Sequence, residues 1–284
     1  MFFKSSKPAA APAPQPAAVP TPLVGTTMSV PVDYNPAVTL GSSSADPLPY
    51  DPLVVGASTI GAATLTIDQV KKALELYGIL SPDAYTEFLC QWYEAGLAKG
   101  GVHWQYADII TALITLTETL RPCRYLEIGV RRGRSACSVG KYAPDCEMTL
   151  LDMWTNKNYA GMDNPGPDLV REELAKVGHK GKLQFVIGNS HELLAPHLKE
   201  HGAQGYDIIT VDGDHTPDGA TLDLNDVLPY VKVGGALVFD DISHPSHSYL
   251  KDVWNDVVAS NPAFTSWTYG ELGYGIAVGV RKRL

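Results

Sequence analysis

No stretch of the 284 residues is apolar for long enough to span a bilayer, so a membrane-embedded chain is not expected. A basic excess is lacking too. The 22 Lys and Arg stand against 31 Asp and Glu, a formal charge of −9, which offers no basic face to nucleic acid or to an anionic membrane. Cysteine is scarce: Cys90, Cys123, Cys137 and Cys146 show neither metal-finger spacing nor a dense disulfide framework, and they read as reduced thiols. Met1-Phe2-Phe3-Lys4 is too short for the apolar region of a signal peptide. The expected compartment is the cytoplasm, and no internal repeat is visible.

Residues 1–62 have the composition of a disordered arm. The run PAAAPAPQPAAVPTP within it is rich in Pro and Ala, lacks charge and cannot supply a packed core. A passive spacer is favoured over a P-x-x-P recognition segment. The scattered apolar residues of 30–60 leave open whether that part drapes on the fold.

Residues 63–121 read as a helical cap. Ile67, Val70, Leu74 and Tyr77 give one helix an apolar face, opening near Thr66. Pro82 opens a second helix that runs to about Leu97, before Gly100-Gly101. A third is expected from about Gln105 to Leu120, with Ile109, Ile110, Leu113, Ile114, Leu116 and Leu120 on a broad apolar stripe. These helices are candidates for a homodimer face or for substrate walls.

From Arg124 strands alternate with helices, the pattern of a parallel sheet covered on both faces. YLEIGV, MTLLDMW, LQFVIGN, DIITVD and ALVFDD supply five strands. Residues 265–269 and 275–280 form a closing pair that must be antiparallel, because ELGYG leaves no room for a crossover helix. The expected fold is α/β, a Rossmann-like, doubly wound, mostly parallel seven-stranded sheet with an antiparallel C-terminal strand.

The segment YDIITVDGDHTPDGATLDLNDVLPYVKVGGALVFDDISHP places chemistry on that sheet. Ile208, Ile209 and Val211 mark a buried strand; Thr216 with Pro217 opens a helix; Ala236 to Phe239 resume a strand. Parallel strands joined by a helix end on the same sheet edge, where open α/β sheets bind ligands. Asp212, Asp214 and His215 therefore meet Asp240 and Asp241 in space, 28 residues further on. Carboxylates gathered on one rim repel each other unless a cation or protons lie between them, and an all-oxygen set suits a hard ion such as Mg²⁺. Singly, each aspartate reads equally well as a helix or turn cap; together they read as a site.

At the first strand end stands Glu127-Ile-Gly129-Val-Arg-Arg-Gly133-Arg-Ser135. Gly129 permits a tight turn, and Gly133 lets a ligand approach the helix start. Arg131 occupies the place of the second glycine in G-x-G-x-x-G, which disfavours a nicotinamide dehydrogenase. Asp152, at the end of the second strand, can accept hydrogen bonds from both hydroxyls of a ribose.

Five features follow in order: E-x-G-x-x-x-G-x-S, the strand-end acid, G-N-S, V-D-G-D-H and F-D-D. This order resembles the class I S-adenosylmethionine-dependent methyltransferases, and is most similar to the metal-dependent small-molecule O-methyltransferases of the catechol and macrolide-sugar types. The resemblance covers residues 122–284 and implies a methyltransferase domain there. It implies that Glu127, Gly129, Gly133 and Ser135 hold the aminoacyl end of S-adenosylmethionine, Asp152 its ribose, and Met153 with Gly188, Asn189 and Ser190 its adenine. It further implies that Asp212, also at the cofactor site, joins Asp240 and Asp241 as a metal ligand, and that His215 is the base. Catechol enzymes carry Asn where this chain has Asp241, and sugar enzymes Glu where it has Asp240; oxygen ligands remain in either case.

The expected reaction is methyl transfer to a hydroxyl of a sugar or phenol, assisted by Mg²⁺ or a similar divalent ion. A metal-independent methyltransferase and a non-catalytic cofactor-binding protein are the alternatives. His244 and His247 read as surface residues, and His191 carries no signal. The polar loop 155–168 is a candidate lid, and Trp154, Tyr159, Trp254 and Trp267 are candidate pocket aromatics.

Overall fold

The computed structural model describes residues 54–155 and 163–283, together with the backbone of Val38–Thr39 and Pro49–Tyr50, which pair as two short antiparallel strands. The expectations for most of the N-terminal arm, for the middle of the candidate lid and for Tyr159 fall outside these residues.

Seven strands form one sheet: β1 (Arg124–Ile128), β2 (Glu147–Asp152), β3 (Leu183–Ile187), β4 (Tyr206–Val211), β5 (Val231–Asp240), β6 (Phe264–Tyr269) and β7 (Ile276–Arg281). Their order across the sheet is β3-β2-β1-β4-β5-β7-β6. All run parallel except β7, which is antiparallel to both β5 and β6. The parallel register aligns Ile128 with Val211, Val211 with Phe239, and Asp152 with Ile187, so every loop of the expected site leaves one edge.

Alternation along the strands divides the core into two layers. Tyr125, Ile208 and Val238 face one side, and Leu126, Ile209 and Phe239 face the other. The second side is covered by α7 (Ser190–His201), α8 (Pro217–Val227) and α9 (Leu250–Trp254). The first is covered by α5 (Arg134–Tyr142), α6 (Pro167–Lys176) and the N-terminal helices, whose Val70, Leu76 and Ile114 join the same apolar cluster as Tyr125 and Met148. The cap is therefore part of the sheet's own core.

Four helices make that cap: α1 (Ala57–Thr64), α2 (Ile67–Tyr77), α3 (Ala84–Gly100) and α4 (Ile109–Leu120). The first corrects the expected arm boundary. Helical structure is present before residue 62: Ile60 is 1% exposed in the core and Gly61 lies against the indole of Trp267. The start of α4 is later than expected, at Ile109. Asp108 closes a capping box there: its carboxylate accepts from the Thr111 N–H, and the Thr111 hydroxyl accepts from the Asp108 N–H, each at 2.9 Å. Thr216 caps α8 as expected, accepting from the Gly219 N–H at 3.1 Å. None of the helices among the described residues is long and apolar enough to cross a membrane.

Candidate active site

The strand-end loops converge because they touch one another directly. The Asp212 N–H donates to the Ile128 carbonyl at 2.9 Å, and Gly129 follows with φ +90°. A Cβ on Gly129 would stand 1.8 Å from the Asp212 carbonyl oxygen. The loop after β1 and the loop after β4 can thus meet only with glycine at this position. A cavity of about 820 Å³ opens above them, within the range of small-molecule sites.

At one end of the cavity Asp212, His215 and Asp241 bring one ligand atom each within 4.8 Å of the others. His215 Nε2 is 3.2 Å from Asp212 Oδ1, and His215 Nδ1 is 3.7 Å from Asp241 Oδ2. The Tyr249 hydroxyl donates to the His215 carbonyl at 2.8 Å and ties the loop to the segment after β5. Asp241 is 8% exposed and sits at φ +61°, a left-handed conformation that aspartate tolerates better than most residues. Burial, and then the charge of Asp212, push Asp241 up to about 7, against the lowering effect of His215. Asp240 is pushed well above the carboxylate range by burial and by the charges of Asp212 and Asp241. Burial opposes protonation of His215, but its hydrogen bond to Asp212 and the charges of Asp212, Asp241 and Asp214 outweigh it, so its pKa is raised. Carboxylates in this condition hold either protons or a cation. The carboxylate oxygens of Asp212 and Asp241 suit a hard divalent ion, with the His215 imidazole beside them. The compact group contains His215 in place of Asp240, which lines the cavity beside it.

Further along the same edge, the carboxyl ends of β2 and β3 build a different surface. Asp152 accepts from the Arg131 N–H at 2.7 Å, the Trp154 N–H at 2.5 Å and the Asn164 side-chain amide at 3.1 Å. Its carboxylate lines the cavity together with Met153, Gly188, Asn189 and Ser190, beside Gly129, Ser135 and Asp212. Glu127 and Gly133 do not line it. Glu127 is 0% exposed beneath the floor, where it accepts from the Tyr125 hydroxyl at 2.9 Å and from the Ser135 hydroxyl. Burial pushes Glu127 up to about 8 in spite of those two donors. It reaches the cavity only through Ser135. Gly133 caps α5 at φ +73°, with Val170 packed where a Cβ would stand.

Residues without any sequence signal complete the walls. Tyr85, Tyr106 and Asp108 enter from the cap, Arg131, Arg132 and Arg134 from the loop after β1, and His191, His244 and Tyr274 from later loops. Tyr85 lies on α3, and Tyr106 and Asp108 lie just before α4; the sequence offers the cap as a substrate wall without marking these residues. His247 lies with its ring 5.0 Å from His215 and 4.6 Å from His244, so the two histidines read as surface residues belong to the site's surroundings. The candidate pocket tryptophans fall elsewhere. Trp254 is fully buried against Phe239, Trp267 packs on Gly61, and Trp154 packs on Phe185 while its indole N–H donates to the Arg131 carbonyl.

Comparison with known proteins agrees with this arrangement. Residues 126–242 match the model of a family described as a methyltransferase domain. No curated protein matches the chain in sequence. Among solved structures, the O-methyltransferase from Bacillus cereus in complex with SAH is similar over 76% of this chain and 91% of its own, at 14% identity and TM-score 0.50. The SAH-bound methyltransferase PaMTH1 of Podospora anserina has 16% identity and TM-score 0.47, over 76% of this chain and 88% of its own. The calicheamicin methyltransferase CalS11 has 18% identity and TM-score 0.48, over 84% of this chain and 99% of its own. At these identities the likeness is one of fold. Residues 126–242 are thus similar to a methyltransferase domain, and the strand order with its single antiparallel strand is the fold the chain shares with these solved structures.

Proposed function

We propose that the chain transfers the methyl group of S-adenosylmethionine to a hydroxyl of a small molecule, with a divalent ion and His215 assisting. The observation that carries this reading is the grouping of Asp212, His215 and Asp241 within 4.8 Å in the cavity that Asp152 and Ser190 also line. In it, Asp152 takes the cofactor ribose, Ser135 and the turn at Gly129 the aminoacyl end, and Met153 with Gly188, Asn189 and Ser190 the adenine. Glu127 orients Ser135.

Bound cofactor supplies an electrophilic methyl on a sulfonium, so the protein's part is to align the acceptor and prepare its oxygen. Asp212 and Asp241, with Asp240 beside them, would hold Mg²⁺ or a similar ion, which supplies a Lewis acid for the hydroxyl. His215 takes the hydroxyl proton on a ring nitrogen, and Asp212 stabilises the imidazolium. Tyr249 fixes the backbone of the His215 loop.

A metal-independent variant of the reaction is favoured by one observation, the raised pKa values of Asp240 and Asp241, which let protons take the place of a cation. Methyl transfer from labelled S-adenosylmethionine to a panel of sugars and phenols, with Mg²⁺ and with excess EDTA, separates the two. The reading expects turnover that EDTA abolishes and that His215→Ala lowers by about 10²–10⁴. Full activity in EDTA assigns the metal-independent reaction.

A further inference from the structure

The acidic group occupies only one end of the cavity. At another, the loop after β1 brings Arg131, Arg132 and Arg134 to the wall, in a chain whose formal charge is −9. Arg132 Nε lies 3.0 Å from Asp83 Oδ2, and an Nη of Arg134 reaches the same oxygen. The other oxygen of Asp83 is occupied by the Thr86 N–H and hydroxyl, each at 2.8 Å. Two guanidinium groups therefore share one carboxylate oxygen, and their side chains are only 17% and 14% exposed. A second, poorly hydrated positive charge without a carboxylate of its own is costly unless something anionic joins it. Guanidinium presents five donors in a planar fork, suited to carboxylate and phosphate.

Placement says which ligand that would be. Arg134 lies over the ring of Tyr85 at 5.2 Å and donates to the Thr86 hydroxyl at 3.1 Å, so the pair is fastened to the cap helix α3. Tyr85, under Arg134, also lines the cavity. Besides burial, the carboxylates of Asp240 and Asp241 raise the pKa of its hydroxyl and Arg134 lowers it. Asp152, Met153 and Ser190 lie on the strand-end side.

Resting on the methyl-transfer reading of this cavity, we propose that Arg132 and Arg134 recognise an anionic oxyacid group, carboxylate or phosphate, carried by the methyl acceptor. The acceptor is then a hydroxy compound with its reacting oxygen at the Asp212–His215–Asp241 end, its body along Tyr85 and its anionic substituent at the arginines.

Calorimetry on the full chain tests this. S-adenosylhomocysteine is titrated first; 3,4-dihydroxybenzoate or catechol is then titrated into the saturated complex in Mg²⁺ buffer. The carboxylate-bearing probe should bind at least about 10-fold more tightly than catechol. Arg132→Gln should abolish most of that ratio with S-adenosylhomocysteine affinity unchanged. Asp83→Asn, which keeps a residue able to cap α3, should raise the ratio by releasing both guanidinium groups. Melting curves establish that the variants fold. Equal affinities, no binding of the dihydroxybenzoate, or a ratio that Arg132→Gln leaves intact would overturn the proposal. An intact ratio with weakened S-adenosylhomocysteine binding would assign the arginines to the cofactor's own carboxylate. Failure of the wild type to bind S-adenosylhomocysteine would instead strike the underlying reading.

Discussion

Gly129 and Asp212, 83 residues apart, meet so closely that a methyl group on the glycine would stand 1.8 Å from the aspartate's carbonyl oxygen. Cofactor loop and acidic loop are therefore one mechanical unit. Gly129→Val must separate them, and its φ of +90° adds strain for a β-branched side chain. The variant should bind S-adenosylmethionine at least about 10-fold more weakly by calorimetry, a loss of about 1.4 kcal/mol or more. Asp152→Ala should weaken it as well. Unchanged affinity in both variants would remove the assignment of this edge to the cofactor.

The packing of α1 makes a second test. Removing residues 1–53 should leave the melting temperature nearly unchanged. Removing 1–64 takes away α1, with Ile60 buried at 1% exposure and Gly61 against Trp267, and should lower it sharply. Ile60→Ala alone should cost about 2–5 kcal/mol in denaturant unfolding. A melting temperature unmoved by the longer deletion would show that α1 contributes nothing to the core.

Much of this was legible in the residues. Uninterrupted β-branched runs such as Ile208 to Val211, separated by helix starts like Thr216-Pro217, define a parallel sheet, and the sheet edge follows from its topology. Aspartates at strand ends are visible for the same reason: position along the chain fixes position on the edge. What was not legible depends on contacts between distant helices. In the sequence Arg131 reads only as a departure from G-x-G-x-x-G and nothing marks Arg132 or Arg134, which Asp83 of the cap gathers. Alanine and glycine around Ile60 make α1 look like more of the arm, since its stability comes from the cap and from Trp267, 206 residues after Gly61. The sequence shows Glu127 at its strand end but not its depth, because its orientation is set by Tyr125 and Ser135.

Glu127 leads to a prediction on pH. Its pKa is raised from 4.5 to about 8 in the fold, so the native state holds a proton that the unfolded chain releases. Its contribution to stability is thus fully present below about 4.5 and is lost as pH rises through about 8. Glu127→Gln has no such proton to lose. Without cofactor, the variant should melt above wild type at pH 9, with the gap closing toward pH 5. Parallel melting curves at all pH values would show that Glu127 is ionised in the fold.

The grouping of Asp212, His215 and Asp241 within 4.8 Å is the centre of the account, and a divalent ion reads it most directly. Mn²⁺ titrated into the S-adenosylhomocysteine complex and followed by electron paramagnetic resonance needs no knowledge of the acceptor. One tight site is expected in the wild type. Asp241→Ala should weaken it by at least about 10-fold while S-adenosylhomocysteine affinity holds, since the lost carboxylate also relieves repulsion among its neighbours. Absence of a site in the wild type, or a site that Asp241→Ala leaves unchanged, would contradict metal-assisted transfer at this cluster.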